Sequence, residues 1–272
     1  SNWDVSSVTN MNGMFYNAEA FDGDISKWDV SKVQDMAGIF FNAHKFNGDI
    51  SKWDVSSADT MEVMFQKAAA FNGDLSKWDV SSVTNMNGMF QNTGTFNGDL
   101  SKWDVSNVED MSSMFLAATT FSSDNSKWDV SRVARMYDTF LAAATFNTDI
   151  SNWDVSSVTD MTRMFSWATK FNVDISNWNV LRVTTMDYMF FHAASFNQKL
   201  CGADWVNSKA SKKDMFARSL GSISRRVCTG SKPFPSAEAL QDVVNACLKL
   251  TPAGECAHRV HGRSAQGDVS RV

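Results

Sequence analysis

The segment Phe46-Asn47-Gly48-Asp49-Ile50-Ser51-Lys52-Trp53-Asp54-Val55-Ser56-Ser57 carries the pattern that decides the fold of this chain. It is followed by Thr60-Met61 and Met64-Phe65, and closely similar segments recur every 25 residues. A fixed period of this length is typical of repeat architectures, in which each unit is stable only when it packs on its neighbours. Tryptophan marks the period at Trp3, Trp28, Trp53, Trp78, Trp103, Trp128, Trp153 and Trp178.

Other positions of the unit keep the same period. Val5, Met11, Phe15 and Phe21 each begin a column of identical residues through all eight units. Residues 24–28 follow turn-forming residues and predict a short strand. The remaining apolar positions are spaced three or four residues apart, which is typical of a short helix: Val5, Val8, Met11, Met14, Phe15 and Ala18. One unit is therefore predicted to be a short strand, a tight corner and two or three helical turns.

The segment quoted above, with its Thr60-Met61 and Met64-Phe65 pairs, resembles the 25-residue repeat of BspA-type leucine-rich-repeat surface proteins. The resemblance covers residues 1–200. It implies an α/β fold class: a right-handed leucine-rich-repeat-like solenoid of about eight 25-residue strand–helix coils with a C-terminal cap. Adhesion or protein recognition is the implied use, and no reaction is implied.

Three regions are predicted along the chain. Residues 1–200 form the repeat solenoid. Residues 201–230 resemble the degenerate unit that closes such arrays and are predicted to be a capping repeat. Residues 231–272 are predicted to contain a linker, a helix over 236–250 and the start of a possible second array, so we expect the natural protein to continue.

Charge and hydropathy restrict the partners. The formal net charge is −5, and residues 1–200 hold 14 basic against 24 acidic side chains. Because nucleic-acid binding needs clustered Lys and Arg, nucleic acid is not expected as a partner. No apolar run reaches the length of about 20 residues that a membrane-spanning helix needs, so no span is expected in this fragment.

All four cysteines follow residue 200: Cys201, Cys228, Cys247 and Cys256. Their spacing lacks the short paired intervals of a zinc site, so disulfides are favoured over free thiols. Proximity along the chain suggests the pairs Cys201–Cys228 and Cys247–Cys256, although four cysteines permit three pairings. Disulfides would place the protein in an oxidising compartment, and we expect an extracellular or cell-surface location.

Three sets of residues have both a structural and a functional interpretation. The aspartate columns that begin at Asp4 and Asp24 suggest backbone-capping turns more strongly than a calcium ladder. The tryptophan column suggests interior packing more strongly than a sugar-binding platform. His44, His192, His258 and His261 share no repeat phase with a plausible nucleophile, and no catalytic motif is present. We therefore expect no enzyme activity, no metal and no cofactor.

The best candidates for binding stand in a variable column that follows the invariant phenylalanine. Its residues do not obey the apolar rule of the core, which suggests that they face outward as a docking surface. An equally open alternative is that this corner is partly buried. The leading hypothesis is a non-catalytic protein-interaction or adhesion module of a larger surface protein. Alternatives are a structural subunit of a large multiprotein assembly and a carbohydrate- or ice-binding solenoid. The predicted binding residues are Tyr16, Phe41, Gln66, Gln91, Leu116, Leu141 and Phe191.

Overall fold

The computed structural model describes residues 3–228, and successive 25-residue units stack on one another. Eight isolated parallel bridges join equivalent residues of neighbouring units, from Asn10 paired with Asp35 to Thr185 paired with Ser211. We call this arrangement the turn stack, and each unit in it a coil. The predicted helix over 236–250, the possible second array and the Cys247–Cys256 pair lie outside the described residues.

Within a coil the backbone follows a series of turns. In the second coil the amide N–H of Trp28 donates to the carbonyl of Ile25, that of Val33 to Val30 and that of Phe41 to Gly38. Every one of these bonds spans three residues, as in β-turns, rather than the four residues of an α-helix. Each coil is thus a series of β-turns joined by short segments without regular secondary structure.

Between coils, alternate amides form a regular ladder. The N–H groups of Met11, Gly13 and Phe15 donate to carbonyls of the next coil at 2.9 Å. The intervening amides of Met14 and Tyr16 donate back within their own coil. A helix would require all these amides to bond within the segment, so the ladder and a helix exclude each other.

Backbone conformation gives a second reason why no helix forms here. Gly13 and Asn17 have positive φ values of 64° and 57°, and equivalent positions repeat this conformation along the turn stack. Positive φ suits the third residue of a type II turn and interrupts a right-handed helix. The column that begins at Gly13 includes Val63 at φ 48°, a conformation that is unusual for a β-branched residue.

The predicted α/β fold class, a right-handed leucine-rich-repeat-like solenoid of strand–helix coils, is therefore wrong. Regular elements in residues 3–228 are confined to residues 199–223: strand β1 (Lys199–Leu200), helix α1 (Ala203–Asn207) and strand β2 (Ser222–Ile223). The strand expected over residues 24–28 is instead a turn closed by the N–H of Trp28. The spacing of three and four residues arose because consecutive turns also return side chains to one side of the chain.

The interior consists of aromatic rings stacked in register, as the columns of identical residues suggested. Phe40 lies 3.8 Å from Phe46 in its own coil and 5.5 Å from Phe65 in the next, measured between ring centroids. The indole N–H of Trp53 donates to the carbonyl of Ile25 at 3.1 Å, and each later tryptophan repeats this bond. Each Trp therefore fills the core and also satisfies a buried carbonyl of the preceding coil.

Polar columns secure the corners. The carboxylate of Asp49 accepts the backbone N–H of Ser51 at 3.0 Å, and the same bond recurs in both aspartate columns. This hydrogen bonding to Ser51 lowers the pKa of Asp49 below its usual 3.8. A separate asparagine ladder links coils, since the N–H of Asn72 donates to the side-chain oxygen of Asn47 at 2.9 Å. The aspartates thus form the Asx-turns that were the structural interpretation of their columns.

The last unit departs from the repeat but lies on the turn stack. Phe216 stacks on Phe190 at 5.4 Å, and the indole N–H of Trp205 donates to the carbonyl of Ile175. Strand β2 pairs in parallel with strand β1, with Lys199 opposite Ser222 and Leu200 opposite Ile223. The boundaries predicted for a capping repeat, residues 201–230, stay a prediction.

Candidate recognition face

Two neighbouring columns on one side of the coil vary where the core columns do not. We call Tyr16, Phe41, Gln66, Gln91, Leu116, Leu141, Ser166 and Phe191 the docking column. We call Asn17, Asn42, Lys67, Asn92, Ala117, Ala142, Trp167 and His192 the adjacent column. Together they make the recognition face. The residues of the adjacent column all have positive φ values, between 54° and 60°, which follow from the turns described above.

The docking column lies at the margin of the core. Tyr16 is 54% exposed and stacks on Phe41, with ring centroids 4.4 Å apart. Ser166 is buried, and the other members are half-buried. The corner thus matches the partly buried alternative over most of its length, and the binding role of Tyr16, Phe41, Gln66, Gln91, Leu116, Leu141 and Phe191 stays a prediction.

An aromatic cluster occupies the recognition face toward its C-terminal end. It consists of Trp167, Phe191 and His192 from the two columns and of Tyr188, which stands outside both columns but contacts Phe191. Trp167 stacks on His192 with centroids 3.9 Å apart and planes 6° apart. Phe191 meets His192 edge-on at 4.4 Å and Tyr188 edge-on at 5.8 Å. Rings in such mutual contact hold one another in place, so the arrangement of the cluster is fixed by its own contacts.

Trp167 is the most accessible ring of the cluster, with 47% of its surface exposed. His192, in the following coil, covers one face of the Trp167 ring. In the adjacent column, the preceding coil has Ala142 and the coil before that has Ala117. A methyl group covers little of an indole face. Among the described residues, no ring or cation stacks on that second face. The exposed part of Trp167 is therefore not covered by another ring or cation of the described residues.

Charged groups beside the cluster are held by specific partners. The guanidinium of Arg163 binds the carboxylate of Asp138 through two bonds of 2.8 and 2.7 Å. Burial raises the pKa of Asp138, and Arg163 opposes that rise. The ammonium of Lys213 lies 5.6 Å from the ring centre of Tyr188, and a hydrogen bond with Tyr188 raises the pKa of Lys213. These contacts leave the face with anchored charges around an apolar centre.

Desolvation, together with the positive charge of Arg218, lowers the pKa of His192. A lowered pKa favours the neutral imidazole of His192, which stacks on Trp167 without adding a charge. His192 was considered for catalysis from the sequence and rejected. The structure places it in an aromatic stack.

Sequence reasoning did not name Trp167 and His192 as candidate binding residues. The docking column was singled out, and the adjacent column, one residue further along within the predicted helix, was not considered. The signal was present, since a column that begins with asparagine and otherwise holds small or polar residues changes to Trp and His in two successive coils. Backbone conformation does not favour large aromatic residues at a position of positive φ, so their presence there points to a role of the side chain itself.

The tryptophan column is not available as a sugar platform over most of its length, because Trp28 to Trp178 are 1–7% exposed. Trp3, in the first coil, is 66% exposed. In residues 3–228, no three His, Cys, Asp or Glu side chains are grouped as metal ligands. That same part of the chain contains no helix with the length and apolarity to cross a membrane.

The cysteines of the last unit meet as proximity along the chain suggested. Cys201 and Cys228 lie at disulfide distance, with Cα atoms 5.2 Å apart. Their pairing joins the start of the last unit to the end of the described chain. A disulfide of this kind is compatible with an oxidising compartment.

Comparisons with known proteins identify a family of repeats. The family model described as "Mycoplasma protein of unknown function, DUF285" matches three overlapping segments, residues 1–94, 51–144 and 123–225. A comparison with curated proteins found no significant match. The three matches overlap and together span residues 1–225, most of the chain. The chain therefore belongs to the DUF285 family of Mycoplasma proteins of unknown function.

Proposed function

We propose that this protein is a non-catalytic recognition module that binds a protein partner through the recognition face. The observation that carries the proposal is Trp167, an exposed ring fixed by stacking on His192 in a face whose residues vary between coils. Tryptophan and tyrosine are enriched among the residues that dominate binding energy. The regular interior sets the spacing of the coils, and the variable columns supply the contacts.

The same proposal includes adhesion as part of a larger protein at the cell surface. Support comes from the Cys201–Cys228 pair, since disulfides persist in oxidising compartments. Further support comes from the stacked architecture, because repeat arrays present long surfaces to their partners. A role as a structural subunit of an assembly would use the same face.

A carbohydrate partner is the second candidate, and the open face of Trp167 favours it. The C–H groups of a sugar ring can pack on an indole face, as other apolar groups do. The two candidates differ in how much of the face they need. A sugar ring needs little more than the exposed face of Trp167, whereas a protein interface buries roughly 800 Å² on each partner.

The test compares two variants that each introduce the residue most common in their column. Trp167→Asn removes the exposed ring and places asparagine, which tolerates positive φ, where Asn17, Asn42 and Asn92 stand. Leu181→Ser is the matched control, because Leu181 is 60% exposed in a different turn of the coil. Binding partners are captured by cross-linking from surface extracts, identified by mass spectrometry and purified for affinity measurement.

We expect Trp167→Asn to weaken binding of the purified partner about 30-fold, the effect of losing a hot-spot side chain. Leu181→Ser should leave the affinity unchanged, and both variants should unfold at temperatures close to that of the unmodified chain. Equal affinity for all three proteins would refute the recognition face as the binding surface. Binding confined to a glycan array, and lost in Trp167→Asn, would establish the second candidate instead.

A further inference from the structure

A cleft at the C-terminal end of the turn stack shares no lining residue with the recognition face. Its volume is about 400 Å³, and it is lined by Lys199, Ile223, Ser224, Arg225 and Arg226. Three of these five residues are cations, in a chain whose formal net charge is −5. A concentration of positive charge on an acidic protein is a local feature that calls for its own explanation.

One residue of the cleft, Lys199, has the opposite charge to the other residues of its column. Lys199 occupies the position held in the seven preceding coils by Asp24, Asp49, Asp74, Asp99, Asp124, Asp149 and Asp174. In a regular coil that aspartate accepts the N–H of a serine two residues later. At Lys199 the backbone instead enters strand β1, which pairs with strand β2. The Asx-turn is thus replaced at the coil where the cleft opens.

The three cations have no carboxylate partner among the described residues. The ion pairs of residues 3–228 are Arg135 with Asp110 and Arg163 with Asp138, and both lie elsewhere. Neutralising partners usually accompany clustered cations, because like charges repel at short range. An external anion would remove that repulsion and gain hydrogen bonds from the guanidinium groups.

The loop that carries the two arginines is held at both ends. At its start, the N–H of Ser224 donates to the carbonyl of Leu200 at 2.8 Å, and the hydroxyl of Ser224 accepts the N–H of Arg226 at 3.2 Å. At its end, the N–H of Cys228 donates to the carbonyl of Cys201, and the two cysteines lie at disulfide distance. A loop fixed in this way loses little conformational freedom when an anion binds.

The surrounding charge limits the size of the anion. The two aspartate columns run the length of the turn stack, so an extended polyanion or an anionic bilayer would be repelled beside the cleft. Membrane-binding patches use clusters of about 4–8 cations, more than the three present here. A single doubly charged group fits three cations, and Ile223 provides an apolar wall for a short carbon skeleton.

We propose that this cleft binds one phosphate or sulfate group carried by a small ligand, such as a phosphorylated or sulfated sugar. Arg225 and Arg226 donate paired N–H bonds to the oxyanion, and Lys199 supplies the third charge. Ile223 packs on the carbon skeleton. The site is independent of the recognition face, so it can be present or absent whatever partner that face binds.

The experiment measures ligand binding to the full chain by isothermal titration calorimetry. The probes are glucose 6-phosphate, glucose 6-sulfate, inorganic phosphate and, as the neutral reference, glucose. Lys199→Asp places the regular residue of the column in the cleft, and Arg225→Ala with Arg226→Ala is the second variant. Lys102→Ala, at an exposed lysine of a regular coil, is the matched control. Thermal unfolding is recorded for every protein.

We expect both charged sugars to bind and glucose not to bind. Lys199→Asp and the double arginine variant should each weaken binding more than tenfold, because each removes at least one charge-assisted hydrogen bond, and Lys102→Ala should have no effect. Inorganic phosphate binding as tightly as glucose 6-phosphate would still support the oxyanion site and would assign no part to Ile223. The proposal is overturned if the charged sugars do not bind, if they bind both cleft variants unchanged, or if phosphatidylglycerol vesicles bind where the small ligands do not.

Discussion

Residues 46–50 and residues 121–125 occupy the same place in two coils but differ in how well their polar groups are satisfied. The first segment ends in Ile50 and the second in Asn125, and each of these side chains is 1% exposed. Both amide atoms of Asn125, Nδ2 and Oδ1, are buried without a hydrogen-bond partner. The aliphatic column therefore contains one buried polar residue that its surroundings do not accommodate.

The asparagine ladder is interrupted at the same coil. Ser122 stands where Asn47 and Asn72 stand in regular coils, and its hydroxyl is too short to reach the next backbone amide. Within residues 3–228, the ladder bond from Asn147 is accordingly missing, although it resumes at Asn172 with a bond of 2.8 Å to Asn147. The coil nevertheless keeps its tryptophan bond, from the indole N–H of Trp153 to the carbonyl of Asn125 at 3.0 Å.

Backbone hydrogen bonds and ring contacts with both neighbours thus maintain the structure of a coil that has unsatisfied polar atoms and lacks one ladder bond. In a repeat protein the stability is approximately the sum of the unit and interface terms, so one weak coil can persist between strong ones. Segment 121–125 is then a local weakness rather than a different structure. Exchanging residues between the two segments measures how large that weakness is.

The largest effect is expected when the defect is copied into the regular coil. Ile50→Asn removes an aliphatic side chain from the core and buries an amide that lacks partners. The free energy of unfolding should fall by about 3–5 kcal/mol. Chemical denaturation followed by tryptophan fluorescence measures the change. Ile50→Val, which keeps the site apolar, should cost about 1 kcal/mol, and a similar small loss for Ile50→Asn would contradict the comparison.

The reverse exchange should stabilise the weak coil. Asn125→Ile removes two unsatisfied polar atoms and adds apolar contacts, so the free energy of unfolding should rise by about 2–3 kcal/mol. The same denaturation measurement applies. Asn125→Ala separates the two contributions, because it removes the amide but leaves a cavity, and its gain should be smaller. A loss of stability in Asn125→Ile would show that the amide has partners in solution.

Restoring the ladder should have a smaller effect. Ser122→Asn supplies the side-chain oxygen that accepts the N–H of Asn147, and one such hydrogen bond contributes about 1 kcal/mol. Asn72→Ser, the matched change in a regular coil, should destabilise by the same amount. Hydrogen exchange measures both, as slower exchange at Asn147 in the first variant and faster exchange at Asn97 in the second. Unchanged exchange in both would mean that the ladder adds nothing to protection.

These segments also show how far the fold could be predicted. The columns, the stacking of identical rings and the Asx-turns follow from the period, because equivalent residues of stacked units must meet. The helix was a wrong prediction because a succession of turns also gives apolar residues at intervals of three and four. The contrary signal was the glycine at Gly13, Gly38 and Gly88 with the asparagine four residues later, since both residue types favour positive φ.

The candidate site was less predictable than the core for a related reason. The exposure of a variable column depends on where the turn directs each side chain, and that direction was derived from the wrong local structure. Phe191 was identified, but Trp167 and His192 stand one residue further along, where a helix would have placed them on another face. Only the turn geometry brings Trp167, Phe191 and His192 together.

The smallest expected difference concerns pH. Hydrogen bonds from Ser51 and Ser126 lower the pKa values of Asp49 and Asp124 below 3.8. A lowered carboxyl pKa contributes stability that is present above the unfolded value and is lost as the pH falls through the folded value. The regular and the weak coil share this property, so both should lose stability below about pH 4.

The gain in the free energy of unfolding in Asn125→Ile should therefore be the same at pH 7 and pH 3, because an amide and an aliphatic group do not titrate. Denaturation midpoints at the two pH values test this, and a gain that changed with pH would indicate that Asn125 interacts with the carboxylate of Asp124.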